Sequence, residues 1–285
     1  MKSIEFVPID LGASMTASDD WAHLGTLAKS HDYEAYVCRY RAILNELPDA
    51  QRPHHLNSIA YALIALGTYT DALSCAQQYH ESAHLAPKGG RDLARGLDIV
   101  GACLWMLGRR GEALETWKGL CAGVLAGKYK YSSDVAGGVD YGLLYWYATV
   151  SEEGSVEKDR ATDYLRDRVG RVTTLDATEV WPVAAARCAL GELSTQQMID
   201  SANARPSWLH VRQEAETETQ ELNRRMRLCT AYFVAGTAER QQGNEVRNFD
   251  NASELKNPFR SLPWYLSRHE SDLRRIVPDK GGVGN

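Results

Sequence analysis

The sequence predicts an all-α chain assembled from about five to six helix pairs. Three observations carry this expectation. Apolar and aromatic side chains recur in steps of three and four from Tyr33 to Leu47, which lays them along one side of a helix. A Leu-Gly pair followed by an Ala-Leu pair occurs twice, as Leu66-Gly67 with Ala72-Leu73 and as Leu107-Gly108 with Ala113-Leu114, at an offset of 41 residues. Beyond the first ten residues, no run alternates apolar and polar side chains as a half-buried strand would.

Residues 1–20 read as an N-terminal arm. Its first fifteen residues hold one lysine, two acidic residues and no long apolar run, which does not make a secretory signal. The first helix lies within residues 32–49 and ends at Pro48, whose ring cannot continue the backbone ladder. Residues 60–79 and 101–117 each read as helix, Leu-Gly turn and second helix. Glycine suits the left-handed residue that closes a helix, and the alanine five residues after it is small enough for two helices to approach closely.

These segments resemble tetratricopeptide repeats. The family has a Leu-Gly-x-Tyr turn, a small residue early in the second helix and a proline that closes the repeat. Gly67, Tyr69 and Ala72 match the turn and the small position. Gly108 and Ala113 do so as well, with Arg110 in place of the tyrosine. Tyr33 and Pro48 match in the first copy, where Tyr36 replaces the small residue. The family repeat is about 34 residues, whereas the spacings here are about 36 and 41, so the helices are longer or the loops wider. The resemblance covers residues 21–120 best and grows degenerate over 121–256. It implies a superhelix of stacked pairs, a tetratricopeptide-like solenoid, with a concave face that binds peptides or whole proteins.

The later pairs follow in order. Residues 139–169 give a helix, a Glu-Glu-Gly turn and a helix with Ala161 as the small residue. Residues 179–202 give a helix, Leu190-Gly191, and a second helix opened by Ser194 and Gln197 as a capping box. Residues 208–242 form a long polar-rich helix, Gly243-Asn244 turns the chain, and another helix runs to Lys256. The repeat domain thus spans 21–256. Residues 257–285 read as a capping segment: Pro258 and Pro263 bracket a loop, Ser267 and Glu270 cap a short last helix, and the tail is disordered.

Composition narrows the function. The chain is 44% hydrophobic and 24% charged, with a net charge of -5. That is unlike a dedicated nucleic-acid binder, which carries a basic stripe, and it suits a basic protein partner. Six cysteines fall at irregular intervals inside helical segments and read as small buried apolar residues of a reducing compartment. No run approaches the roughly 18 apolar residues that span a bilayer. The expected location is the cytoplasm, with no nucleic acid, no membrane and no cofactor.

One motif could carry chemistry. Residues 80–84 read HESAH, the His-Glu-x-x-His pattern in which His80 and His84 would hold Zn²⁺ and Glu81 would activate its water. Against it, the motif sits at the end of a helix that already packs in the repeat, and residues 85–91 supply no third ligand. Gly123 to Lys128 lacks the spacing of a phosphate loop, and the basic and aromatic stretch 127–134 reads as an interhelical loop.

The favoured expectation is therefore a non-catalytic module for protein–protein interaction. If the repeat register holds, Asn57 and Tyr61 from one pair, Arg95, Asp98 and Trp105 from the next, and Tyr141 and Tyr145 from a third face the partner, with the aromatics as anchors. Size, acidity and the lack of a catalytic motif suggest an immunity protein that neutralises a toxin, or a chaperone or adaptor. The alternative is a zinc metallopeptidase built on His80 and His84.

Overall fold

The computed structural model describes residues 31–44, 46, 52–83, 89–129, 137–152, 155–171, 181–204, 217–256 and 261–276. These residues are all-helical, with twelve helices and no strand. None of the helices is long and apolar enough to cross a membrane.

The first helix, α1 (Tyr33–Leu44), buries the stripe read from the sequence: Tyr33, Tyr36, Val37 and Tyr40 are inside, and Ile43 and Leu44 flank them. Leu47 and Pro48 fall outside the described residues. Next come α2 (Arg52–Ala65) and α3 (Tyr69–Ser82), then α4 (Gly89–Met106) and α5 (Arg110–Leu125). Both pairs turn on a left-handed glycine, Gly67 at φ +74° and Gly108 at φ +75°. The Gly67 N–H donates to Ile64 O and the Thr68 N–H to Leu63 O, each at 3.0 Å, and Gly108 and Arg109 repeat the pattern on Trp105 and Leu104. These are the paired hydrogen bonds of a Schellman cap, which satisfy the last carbonyls of a helix. The same geometry recurs at Gly127, Gly191 and Gly243, so the glycine turn punctuates the later chain too. Ala72, Ala113 and Ala161 are completely buried, as their small-residue role requires.

The remaining helices are α6 (Val139–Ser151), α7 (Ser155–Gly170), α8 (Val183–Ala189), α9 (Thr195–Asn203), α10 (Thr217–Gln241), α11 (Asn248–Glu254) and α12 (Leu262–Ile276). The capping box before α9 is present: Gln197 N–H donates to Ser194 Oγ at 3.2 Å, and Ser194 N–H to Gln197 Oε1 at 2.9 Å. The last helix departs from the sequence reading. It starts at Leu262 and not at Ser267, and Pro263 is its second residue, where the missing N–H would have no intrahelical partner anyway. Ser267 and Glu270 are buried in mid-helix and do not cap it.

Consecutive helices pack on one another, as hairpins stacked in a row do. Two contacts break that one-dimensional order: α10 packs on α6, and α12 packs on α4 as well as on α10 and α11. The array therefore curls until its last helix meets its early pairs. An aromatic spine runs through the junction, from Trp105 to Tyr147 (ring centroids 4.9 Å apart), Phe233 (4.7 Å further) and Phe249 (6.0 Å further). Trp264, Tyr265 and Leu266 of α12 are buried as well. Burial of such side chains stabilises by roughly 1.5–3 kcal/mol each, which makes α12 an integral part of the core.

Candidate functional site

The closure is organised by one carboxylate. Glu270 of α12 is 4% exposed and accepts bonds from three other helices. The Trp105 indole N–H of α4 donates at 3.1 Å, the Tyr147 hydroxyl of α6 donates to the same oxygen, and Arg240 Nη2 of α10 donates to the other at 2.5 Å. Arg240 also donates to Ser151 Oγ at 2.8 Å. Burial alone raises the Glu270 pKa, but Arg240, Tyr147 and Trp105 together reverse that and hold it below the usual carboxylate range. A buried charge is tolerated when paired and fully hydrogen-bonded, and this arrangement meets both conditions.

The seven side chains expected to face a partner are dispersed by this packing. Trp105 is 1% exposed and faces Glu270. Tyr61 packs on Tyr265 of α12, with ring centroids 6.2 Å apart. The closing helix thus occupies the face on which both were placed. Tyr145 turns the other way and donates to Glu157 of α7 at 2.5 Å. Asn57 and Tyr141 are buried as well. These five present no surface to a rigid partner. Arg95 and Asp98 are only partly covered. Asp98 Oδ1 is nevertheless sealed from water without a hydrogen bond. Burial, then the nearby charge of Asp140, pushes the Asp98 carboxyl up to about 8, against the smaller pulls of Arg95 and the Trp117 indole.

Of the HESAH residues, His80 packs between helices. Its Nδ1 lies 3.0 Å from Leu93 O, and a Cβ on Gly96 would sit 2.8 Å from its own Cβ. His84 lies outside the described residues. No group of three or more metal-ligating side chains converges among the described residues. The cysteines are unpaired; four are buried, Cys75 is half-buried and Cys38 is exposed. Burial pushes the Cys229 thiol up to about 12 and those of Cys103 and Cys121 further up, which keeps them protonated and unreactive.

One open cavity, of about 200 Å³, lies beside the closure. It sits where α12 meets the α2–α3 turn and the end of α4. Ile64, Leu66, Met106 and Tyr265 supply apolar wall, and Tyr69, Arg268, His269 and Asp272 supply polar wall. Tyr69 meets His269 edge to face, at 5.8 Å between centroids. Burial lowers the His269 pKa, and Arg110 adds to this against the opposite pulls of Glu270 and Asp272, so the imidazole is neutral at pH 7. Leu66, at the turn, lines the cavity and is 37% exposed, and Ile276, further along α12 and outside the lining, is 75% exposed. Ile276 stands four residues after Asp272 and seven after His269, so it extends the cavity-lining stripe of the helix.

Sequence reasoning found Tyr69 and Gly67 as turn residues but did not connect them with α12. It took Glu270 for a helix cap, and Arg240 and His269 escaped it. The signal available for Glu270 is a carboxylate four residues after Leu266, on the apolar stripe of an amphipathic helix. Comparison with family models, with curated proteins and with solved structures finds no match for this chain.

Proposed function

We propose that the chain is a non-catalytic protein-binding module built from tetratricopeptide-like helix pairs, and that its partner docks on the seam between the α2–α3 turn and α12. The observation that carries this reading is exposed Leu66 on a small open cavity that Arg268 and Asp272 also line, with exposed Ile276 one turn further along α12. Apolar exposure with a polar rim is the usual composition of a docking surface. The face that the family resemblance would use is closed to a partner near Tyr61 and Trp105 by α12. A net charge of -5 favours a basic partner through faster encounter, and six unpaired thiols suit the cytoplasm. Neutralising a toxin as an immunity protein, or escorting a client as a chaperone or adaptor, are the concrete roles this reading supports.

The test is reconstitution. A partner that co-purifies with the tagged chain is identified by mass spectrometry, and the complex is rebuilt from the two purified proteins. Leu66→Glu and Ile276→Glu, combined, are expected to weaken the complex at least tenfold. Both sites are exposed, so thermal unfolding should stay near that of the parent chain. Unchanged affinity in the double variant rejects the seam.

A further inference from the structure

We infer that α12 is a clasp that couples the early hairpins of the array to its late helices, so that the two open together and not pair by pair. In a plain stack of helix pairs each pair touches only its neighbours, stability is local, and a change on the last helix is felt first by the helix before it. The partners of α12 come from both halves of the chain. From the early half it meets Tyr61 of α2 through Tyr265 and Tyr69 of α3 through His269, and its Glu270 takes the Trp105 indole bond of α4. From the late half, Glu270 takes Arg240 of α10, and Arg274 donates from Nη2 to Asp250 Oδ1 of α11 at 3.0 Å. Tyr147 of α6 stands between the halves and donates to the same carboxylate.

The buried donors explain why release is shared. Trp105 is 1% exposed and Tyr147 0%. An indole or a phenol has one hydrogen to donate, and each of these gives it to Glu270, which lies 165 and 123 residues further along the chain. Lifting α12 takes the acceptor from donors on α4 and α6 and the counter-charge from Arg240 of α10 in the same step. A buried donor left unpaired is costly until water reaches it. Water reaches these three only when the packing around α4, α6 and α10 opens as well. Tyr265 and Leu266 leave the core at the same moment, because they sit on the same helix. The seam has one wall from the α2–α3 turn and the other from α12, so it exists only while the clasp is shut.

The clasp is tested on the free full chain, so its failure and that of the docking reading are separate results. Native-state hydrogen exchange in rising urea, below the unfolding transition, reports the opening of each segment. In the parent chain the slowest amides of α2, α4, α10 and α12 are expected to converge on one protection level. Glu270→Gln keeps the shape and removes the charge from a buried ion pair. It should lower protection about tenfold or more, by the same factor in α2 and α4 as in α12, and no less in α4 than in α7, which lies between the halves in sequence. Trp105→Phe changes the other side of the clasp and should lower protection in α11 and α12 together with α4. Early and late levels that stay apart in the parent up to the transition overturn the clasp. So does a Glu270→Gln effect confined to α10–α12, or one that fades through α7 to a smaller value in α4. Unchanged protection of α12 in Trp105→Phe overturns it as well. The parent measurement needs no substitution, so the clasp is decided even where a variant does not fold.

Discussion

Glu270→Ala is expected to destabilise the fold by about 3–5 kcal/mol, the cost of removing one partner from a buried ion pair. The substitution would leave the Arg240 guanidinium, the Trp105 indole N–H and the Tyr147 hydroxyl without their shared acceptor. Arg240 cannot shed its proton to escape, so the penalty falls on an unpaired cation. Glu270→Gln keeps the size and one acceptor oxygen, and should cost less than alanine. Urea unfolding at pH 7 measures both. The pH dependence has a definite sign. The folded-state pKa of Glu270 lies below its ordinary value of 4.5, so its contribution is present above that value and is lost as pH falls through the folded pKa. The stability of the parent chain should therefore drop in acid more steeply than that of Glu270→Gln. Equal slopes, or an alanine variant as stable as the parent, would mean that the carboxylate does not hold the closure.

Asp98→Asn should act in the opposite direction and stabilise the chain above neutral pH. In the folded chain the Asp98 carboxyl titrates near 8, against 3.8 for an ordinary aspartate. A raised pKa contributes stability that is complete below the unfolded value and is lost as pH rises through the folded one. At pH 8 the parent carries most of that loss and the asparagine variant carries none. Each pKa unit corresponds to about 1.4 kcal/mol. Water reaches the edge of the residue, so a gain of about 1–3 kcal/mol is expected rather than the full shift. The difference between variant and parent should shrink towards pH 4. A variant less stable than the parent at pH 8 would show that the ionised carboxylate is bound by a cation after all.

The helical class, the first helix, the glycine turns at Gly67 and Gly108, and the capping box at Ser194 were legible because each is a local device. A left-handed glycine or an N-cap hydroxyl is set by residues within one turn of it. The closure was not legible. Trp105 and Glu270 stand 165 residues apart in sequence, and no periodicity links a stripe on one helix to the helix that covers it. The repeat register placed Tyr61 and Trp105 on a common inner face. What it could not show is that α12 occupies that face. Pro263 was misleading for a related reason: a proline reads as a break in a helical pattern, yet in the first turn it costs no hydrogen bond. The seam cavity was half visible, since Tyr69 belongs to the turn motif. Its other wall comes from α12, which the sequence reading began five residues late.

The most direct test of the account is hydrogen exchange along the chain, measured alone and with the partner. The amides of α12 should be as protected in the free chain as those of α4 and α6, because all three share the Glu270 junction. Binding should then add protection around Leu66–Tyr69 and Arg268–Ile276, leaving Arg95–Trp105 unchanged. Rapid exchange of α12 in the free chain, with protection gained over Asn57–Trp105 on binding, would show an open inner face that receives the partner, and would contradict both the closure and the seam.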